Sequence, residues 1–344
     1  MAPAGAPRLL AEKARLAAAL GYKGREMTAE ATALATLWAG YGSVLKVRVD
    51  VEGEDEPRRL VLKRIAPPPG DGASHRRKLR SYEVEAAFYR SDAPDYLRSK
   101  GAAVPACVAV DGDVNNGGGM EILLTDLTHE SFPNRLRGGQ RADIDAALTL
   151  LAKMHAAYFE KPLPPGLWEQ ACYWHLETRP DELRSMSDTR LQAAAAALDR
   201  RLRVSRGATL LHGDSKADNI LTGDGLAALY DLQYTGAGLG ARDVAYLLVS
   251  SCDARTLDRD ETSLLDTYHD ALLRSGVSPS FTRQALQDDF DVAVADYQRF
   301  MDGWGDWGNA RWARTRTQEV LDRLESAMPS HGDWDGAIAK VFPV

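Results

Sequence analysis

The stretch TLLHGDSKADNIL, residues 209–221, sets an apolar pair before His212-Gly213-Asp214, then a knot of polar side chains, then Asn219 ahead of another apolar pair. Polar groups enclosed by apolar flanks cost stability unless they are hydrogen-bonded. A chain that needed only a strand would not place Asp, Lys, Asp and Asn in its middle. Two structures satisfy the pattern. One is a turn between short strands, held by the Asx-turns that Asp and Asn make; the other is a loop whose polar groups do chemistry. Downstream, LAALYDLQYTG supplies a second apolar run that ends on Asp231.

The surrounding chain narrows the choice. Its 344 residues suffice for two lobes or two domains, and 44% hydrophobic with 26% charged residues is ordinary for a soluble globular protein. A formal net charge of -7 argues against a general nucleic-acid binder, although a local basic patch around an anionic ligand remains compatible with it. Cys107, Cys172 and Cys252 stand far apart, without metal-site or CxxC spacing, so a disulfide framework is not expected and a cytoplasmic protein is. No apolar run approaches the roughly 18 residues of a membrane span. In MAPAGAPRLLAEKARLAAALGY, Leu9, Leu10, Ala14, Leu16, Ala17 and Leu20 recur at helical spacing and Gly21 supplies a stop, which predicts a first helix. The alternative there is an organelle transit peptide, since the segment is poor in acidic residues.

Further along, SVLKVRVDV alternates from Val47 onward, EGEDEP is an exposed turn, and RRLVLKRI alternates again. The glycine-containing WAGYGS precedes the first of these runs. RRKLRSYEVEAAFYRSDA reads as a helix with Leu79, Tyr82, Ala86 and Tyr89 on one stripe, and AAVPACVAVDGDVNNGGGMEILLTDL as two strands around a Gly/Asn-rich hairpin. Residues 1–128 therefore form a strand-rich lobe with one prominent helix. Residues 129–344 are dominated by helices such as DIDAALTLLAKMHAAYFE, TRLQAAAAALDRRLRVS, ARDVAYLLVSSC and DETSLLDTYHDALLRSG, interrupted where the opening stretch lies. The expected class is α+β in two lobes, a small antiparallel sheet lobe and a larger helical one.

One chemistry uses Asp214, Asn219 and Asp231 together. Phosphoryl transfer from ATP needs a carboxylate to orient and deprotonate the attacking hydroxyl, and oxygen ligands for the Mg2+ that bridges the phosphates. Asp214 suits the first role; Asn219 and Asp231 suit the second. The motif resembles the catalytic loop of the protein-kinase-like superfamily, His-x-Asp with Asn five residues beyond. Gly213 after the His, and Asp-Leu-Gln at residues 231–233, resemble its small-molecule branch: aminoglycoside phosphotransferases, choline kinases and the ecdysteroid-kinase-like group. ARDVAYLL is similar to the Asp-x-x-Tyr helix start of those families.

That resemblance implies further residues upstream. A strand lysine should meet the nucleotide phosphates and a helix glutamate should steady it, which designates Lys63 and, of Glu83 and Glu85, Glu85. Gly40, Gly42 and Ser43 would form the turn over the phosphates, where a missing Cβ admits close backbone approach. In EILLTDL the Thr125 carbonyl and Leu127 amide would meet the adenine edge. Lys216 would contact the transferred phosphate or be a plain surface charge. His212 is expected to brace the loop, Asp218 to stabilise a turn, and Asp243 to cap the helix that follows it.

The acceptor is less legible. RFMDGWGDWGNARWARTRT gathers Trp304, Trp307 and Trp312 with Asp302 and Asp306. These residues would form either a pocket of aromatic faces and carboxylates for a cationic substrate or the packing of one helix against its lobe. The pocket reading points to an amine-bearing alcohol. GLWEQACYWHLET is expected to pack beside the same cleft. The function implied is ATP- and Mg2+-dependent phosphorylation of a small-molecule hydroxyl on an amino alcohol, aminoglycoside, sugar or sterol-like compound. A protein kinase is disfavoured, because only residues 232–242 separate Asp231 from the next acidic helix start. The remaining alternative is a nucleotide-binding pseudokinase or scaffold.

Overall fold

Strand β3 (Arg58–Ile65) carries the logic of the first lobe. Its alternation sends Leu60 and Leu62 to one face of a sheet, where they pack with Val47, Val49 and Val51 of β2 (Gly42–Val51). Lys63 and Ile65 face the other way, toward the main core. The computed structural model describes Leu9 and residues 12–115, 118–203 and 206–343. In it, β1 (Met27–Thr36), β4 (Cys107–Gly112) and β5 (Met120–Thr125) complete a five-stranded antiparallel sheet in the order β1-β2-β3-β5-β4. Helix α1 (Lys13–Ala19) covers one face through Leu16 and Ala17. Helix α2 (Ala73–Arg90) covers the other through Tyr82, Val84, Ala86, Phe88 and Tyr89. With both faces covered, a lysine on β3 is necessarily buried: Lys63 is 7% exposed.

The strand β1 was not expected from the sequence. In MTAEATALAT only small alanines follow Met27 at the alternate positions, and only Met27 of it is buried. As an edge strand exposed on both faces, it is defined by its backbone ladder with β2 rather than by any side chain that enters a core. The N-terminal helix is shorter than expected. Residues 1–8, 10 and 11, on which its start and the transit-peptide alternative fall, lie outside the described residues.

After the short α3 (Ala93–Ser99), the second lobe is helical. It comprises β6 (Asn134–Arg135), α4 (Arg141–Tyr158), α5 (Pro180–Arg184), α6 (Thr189–Leu202), β7 (Ala208–Leu211), β8 (Ile220–Gly223), β9 (Leu226–Leu229), β10 (Gly236–Leu239), α7 (Ala241–Ser251), α8 (Ala254–Arg274), α9 (Arg283–Trp304), α10 (Ala310–Ala327) and α11 (Trp334–Val341). Among the described residues no helix is long and apolar enough to cross a membrane. The opening stretch is a polar loop between two short strands. Strand β7 delivers a polar loop, one 3-10 turn at Ala217–Asn219 closes it, and β8 leaves. Strand β8 then makes a hairpin with β9 through Asp224 (φ 50) and Gly225 (φ 75), the paired left-handed residues of a tight hairpin turn. Strand β10 returns to pair with β7.

Gly42, at the start of β2, has φ +141, and a Cβ there would sit 2.0 Å from the Arg64 carbonyl oxygen of β3. Gly40, in the preceding turn, has φ +77 but open space around it. Gly42→Ala should therefore cost about 1–3 kcal/mol of stability, from the strained backbone and the separation of β2 from β3. Gly40→Ala should cost less. Chemical denaturation of the two variants side by side checks the order, and equal losses would contradict it.

Candidate active site

Strand β3, helix α2 and the segment after β9 each contribute one charge to a triad in which Lys63 and Glu85 are buried and Asp231 is half-buried at the cleft. Lys63 Nζ donates to Glu85 Oε2 at 2.5 Å and to Asp231 Oδ1 at 2.7 Å. Glu85 is reached because α2 crosses the inner face of the sheet with its buried stripe inward. Asp231 is reached because its backbone sits at φ +68, a left-handed conformation that non-glycine residues adopt at a cost of about 1–3 kcal/mol. Burial alone would push Lys63 down. Asp231 and Glu85 outweigh it and hold the ammonium above its ordinary value. Burial likewise opposes the charge on Asp231, but Lys63 keeps that carboxyl well below the usual range.

The second cluster is the loop itself. Asn219 Nδ2 donates to the Asp214 carbonyl at 2.7 Å and to Asp214 Oδ2 at 2.9 Å, and Lys216 Nζ lies 3.3 Å from the same Oδ2. Asp214 Oδ1 is buried without a hydrogen-bond partner among the described residues. Burial pushes this carboxyl up, with Lys216 opposing and Asp231 adding to the rise. The Gly after His212 is a steric requirement. Gly213 has φ +80, and a Cβ there would stand 2.1 Å from the Tyr234 carbonyl oxygen.

His212 braces this loop. Its Nε2–H donates to the Tyr230 carbonyl at 2.9 Å and its Nδ1 accepts the Asp214 N–H at 3.2 Å, a pattern that selects the Nε2–H tautomer. Asp243 departs from expectation. It is not the cap of α7 but lies inside it, fully buried, with its carboxylate aimed back at the loop. Oδ2 accepts the His212 N–H at 2.7 Å, Oδ1 accepts the Gly213 N–H at 2.9 Å, and His155 Nε2 donates to Oδ2 at 3.2 Å. The Ser215 hydroxyl donates to the Asp243 carbonyl at 2.8 Å. An acidic residue at a helix start fits both roles in sequence; the backbone donors that decide between them come from residues 30 positions away.

Asp214, Lys216 and Asp231 line one cleft of about 1860 Å³, which Trp304 and Trp307 also line. Lys63 and Glu85 stand behind Asp231. Gly40, Gly42 and Ser43 lie at the β1–β2 turn, Thr125 ends β5, and Leu127 packs with Phe132 and Ala228; none of these five borders this cleft. The carboxylates expected beside the tryptophans are not brought to it either. Asp302 accepts from Ser187 N, Ser187 Oγ and Asp188 N at 2.7–2.9 Å, and Asp306 is paired with Arg314. Trp304 stacks on Phe300 at 5.7 Å, and Trp307 packs against Tyr246 at 5.7 Å.

Sequence reasoning assigned no role to Gln233 or Lys78. Gln233 Nε2 donates to Asp231 Oδ1 at 2.6 Å, while its Oε1 accepts Lys78 Nζ at 2.9 Å and Ser81 Oγ at 3.0 Å. The signal was present as spacing: Lys78, Ser81 and Glu85 are successive steps along one face of a helix. For a metal, the donor chemistry fits Mg2+. The Asn219 amide nitrogen is spent on Asp214, and the Asn219 main-chain carbonyl accepts the Tyr230 N–H at 3.1 Å, which holds it near the segment of Asp231. The Asn219 side-chain oxygen and the Asp231 carboxylate are hard oxygens of the kind that suit an ion taking the rest of its shell from phosphate and water.

Asp243→Ala leaves the His212 and Gly213 amides buried without acceptors and should cost about 3–5 kcal/mol. The pH dependence has a definite sign. His155 and the loop amides hold Asp243 below its ordinary value although burial opposes this, so its contribution is complete above the unfolded carboxyl range and is lost as pH falls through it. Denaturation between about pH 5 and pH 3 should therefore show a shallower loss for Asp243→Asn than for the native chain. Parallel curves would remove Asp243 from this role.

The comparisons agree with this geometry. Residues 43–287 match a family model described as the phosphotransferase enzyme family, APH. Among solved structures, an amicoumacin kinase in complex with AMP-PNP, Ca2+ and Ami is 15% identical with a TM-score of 0.54, over 85% of this chain and 88% of that one. A microcompartment-associated aminopropanol kinase is 14% identical with a TM-score of 0.51, over 87% and 93% respectively. No curated protein matches the sequence. The two structures share the fold, and the family match spans both the Lys63 strand and the loop of residues 209–221: the chain belongs to the APH phosphotransferase family and is a small-molecule phosphotransferase.

Proposed function

We propose that this chain transfers the γ-phosphoryl group of ATP to a hydroxyl of a small molecule, with Mg2+ held by Asn219 and Asp231. One observation carries the reading. Asp214, with a buried oxygen unpartnered among the described residues, lines the same cleft as Asp231, which is fastened to Lys63. The two fold neighbours, described as kinases of amicoumacin and of aminopropanol, the former with AMP-PNP, support it.

In the proposed reaction Asp214 Oδ1 orients the acceptor hydroxyl and takes its proton as the oxygen bonds to the γ-phosphorus. The bond from that phosphorus to the bridging oxygen breaks, and its electron pair leaves on ADP. Lys63, steadied by Glu85, positions the α- and β-phosphates, and the turn of residues 40–43 covers them. Bound Mg2+ would neutralise charge on the phosphates. The Thr125 carbonyl and Leu127 amide meet the adenine edge, and Lys216 meets the transferred phosphate. Residues 1–128 serve as the nucleotide-covering lobe, and residues 129–344 carry the loop and the acceptor site. The three free thiols suit a reducing cytoplasm.

Asp214→Asn should lower turnover about 10²–10⁴-fold while leaving AMP-PNP binding nearly unchanged. Chelation of divalent metal should abolish turnover of the native chain, and added Mg2+ should restore it. Turnover that survives Asp214→Asn would displace the base assignment, and nucleotide binding without turnover for any hydroxyl compound would favour a pseudokinase.

A further inference from the structure

The sign of the cleft is the feature the sequence did not announce. From the small lobe, Arg77 on α2 reaches across and donates to the Thr178 carbonyl of the large lobe. The next residue of the large lobe, Arg179, lies over the rings of Trp304 (4.9 Å), Tyr173 (5.3 Å) and Phe300 (5.6 Å), with Nε donating to the Tyr173 carbonyl at 3.1 Å. Two guanidinium groups thus meet at one point of the cleft wall, and both line the cleft that contains Asp214. Among the described residues Arg77 has no carboxylate at ion-pair distance. Arg179 has only Glu182, at 3.4 Å. Burial and then Arg179 push the Arg77 guanidinium below its ordinary value, so its charge is held there at a cost.

Six carboxylates border the cleft, and all but the exposed Glu169 have a cation at ion-pair distance among the described residues. Asp231 is paired with Lys63, Asp214 with Lys216, Glu177 with Arg203 and Asp181 with Arg184. On the cationic side, Lys78 has Gln233 as its partner rather than a carboxylate. His175 adds no charge, since burial, followed by Arg242, pushes it down to about 3. With Arg76 and Arg77 bonded only to carbonyls among the described residues, against the single unpaired carboxylate Glu169, the unpaired balance of the wall is positive. An amine would meet repulsion here, whereas the planar fork of arginine matches carboxylate and phosphate oxygens in a bidentate fashion. In the proposed reaction Lys63 and Lys216 meet the nucleotide's phosphates, which leaves Arg77 and Arg179 on the cleft wall without an assigned ligand.

We propose that the acceptor is an anionic alcohol, a small molecule whose carboxylate or phosphate is held by Arg77 and Arg179 while its hydroxyl meets Asp214. This rests on the phosphotransferase reading for the position of the hydroxyl, but the anion site itself does not depend on Asp214 as a base. Tyr173 and Tyr234, with ring centroids 5.4 Å apart, and Trp168, stacked on Tyr234 at 6.4 Å, form the walls between the two ends.

Four compounds that differ at one end test the inference: glycerol, 3-aminopropane-1,2-diol, glycerate and glycerol 3-phosphate. With AMP-PNP and Mg2+ saturating, the two anionic members should raise the melting temperature of the full chain, and the neutral and cationic members should not. The difference between glycerate and glycerol 3-phosphate separates a carboxylate site from a phosphate site. Arg77→Gln should weaken the anion response at least about tenfold, the scale of one charge-assisted hydrogen bond, and Arg77→Lys should recover part of it. AMP-PNP affinity should stay within about twofold in both variants. An equal or stronger response to the amine, no response to either anion, an unchanged response in Arg77→Gln, or a loss of nucleotide affinity in its place overturns the proposal. Asp214→Asn separates the two readings. It should keep the anion response, so full ATP turnover in that variant sinks the kinase mechanism alone, whereas Asp214-dependent turnover without an anion response sinks this proposal alone.

Discussion

Lys63 ties the two lobes together. Taking an ammonium out of water costs several kcal/mol, and two carboxylates from different parts of the chain offset that cost. Glu85 belongs to the small lobe and Asp231 to the large one, so the pair of contacts at 2.5 Å and 2.7 Å fixes where the lobes meet. One lysine against two carboxylates, Glu85 buried and Asp231 half-buried, leaves a negative surplus. Lys78 reduces it through Gln233, which touches both Lys78 and Asp231. The cluster therefore spans strand, helix and post-hairpin segment with cations and anions in balance, and a change to any member leaves a buried charge uncompensated.

The catalytic loop is built on a separate support. Asp243 fastens the backbone on either side of His212, His155 holds Asp243, and Tyr268 holds His155 from α8 with a 2.7 Å contact to Nδ1. Position is thus transmitted from the helical core to the loop by a chain of buried hydrogen bonds. Asp214 receives its orientation from that chain and its chemical environment from Lys216 and Asn219. The division matters because, on the proposed reading, stability and proton transfer reside in different carboxylates about thirty residues apart in sequence.

What the sequence disclosed follows from which residues answer to a local rule. Lys63 and Glu85 sit in periodic segments that place one on a strand and the other on a helix, and the family resemblance, not the periodicity, selects Glu85 over Glu83. Asp214, Asn219 and Asp231 lie within one hairpin whose turn chemistry is local. The strand β1 answers to no such rule, since an edge strand exposed on both faces buries almost nothing. Asp243 satisfies the pattern for capping, and only tertiary contact shows its carboxylate turned to the loop. Asp302 and Asp306 lay beside the right tryptophans in sequence, but backbone amides and Arg314 claim their carboxylates.

The acceptor end shows the same limit from the other side. A net charge of -7 over the whole chain says nothing about a wall where Arg77 and Arg179 converge from two lobes. Local sign depends on which charges are already paired, and pairing is a property of the folded chain. Around this cleft the acidic residues are mostly spent on neighbours while Arg77 donates to a carbonyl, a neutral acceptor that satisfies its hydrogen bond without cancelling its charge. A satisfied but uncancelled cation in a partly dry site favours any anion that can reach it, because the field there is weakly screened. On the proposed reading the loop of residues 209–221 moves the phosphate, and Arg77 and Arg179 on the wall of the same cleft restrict what can receive it.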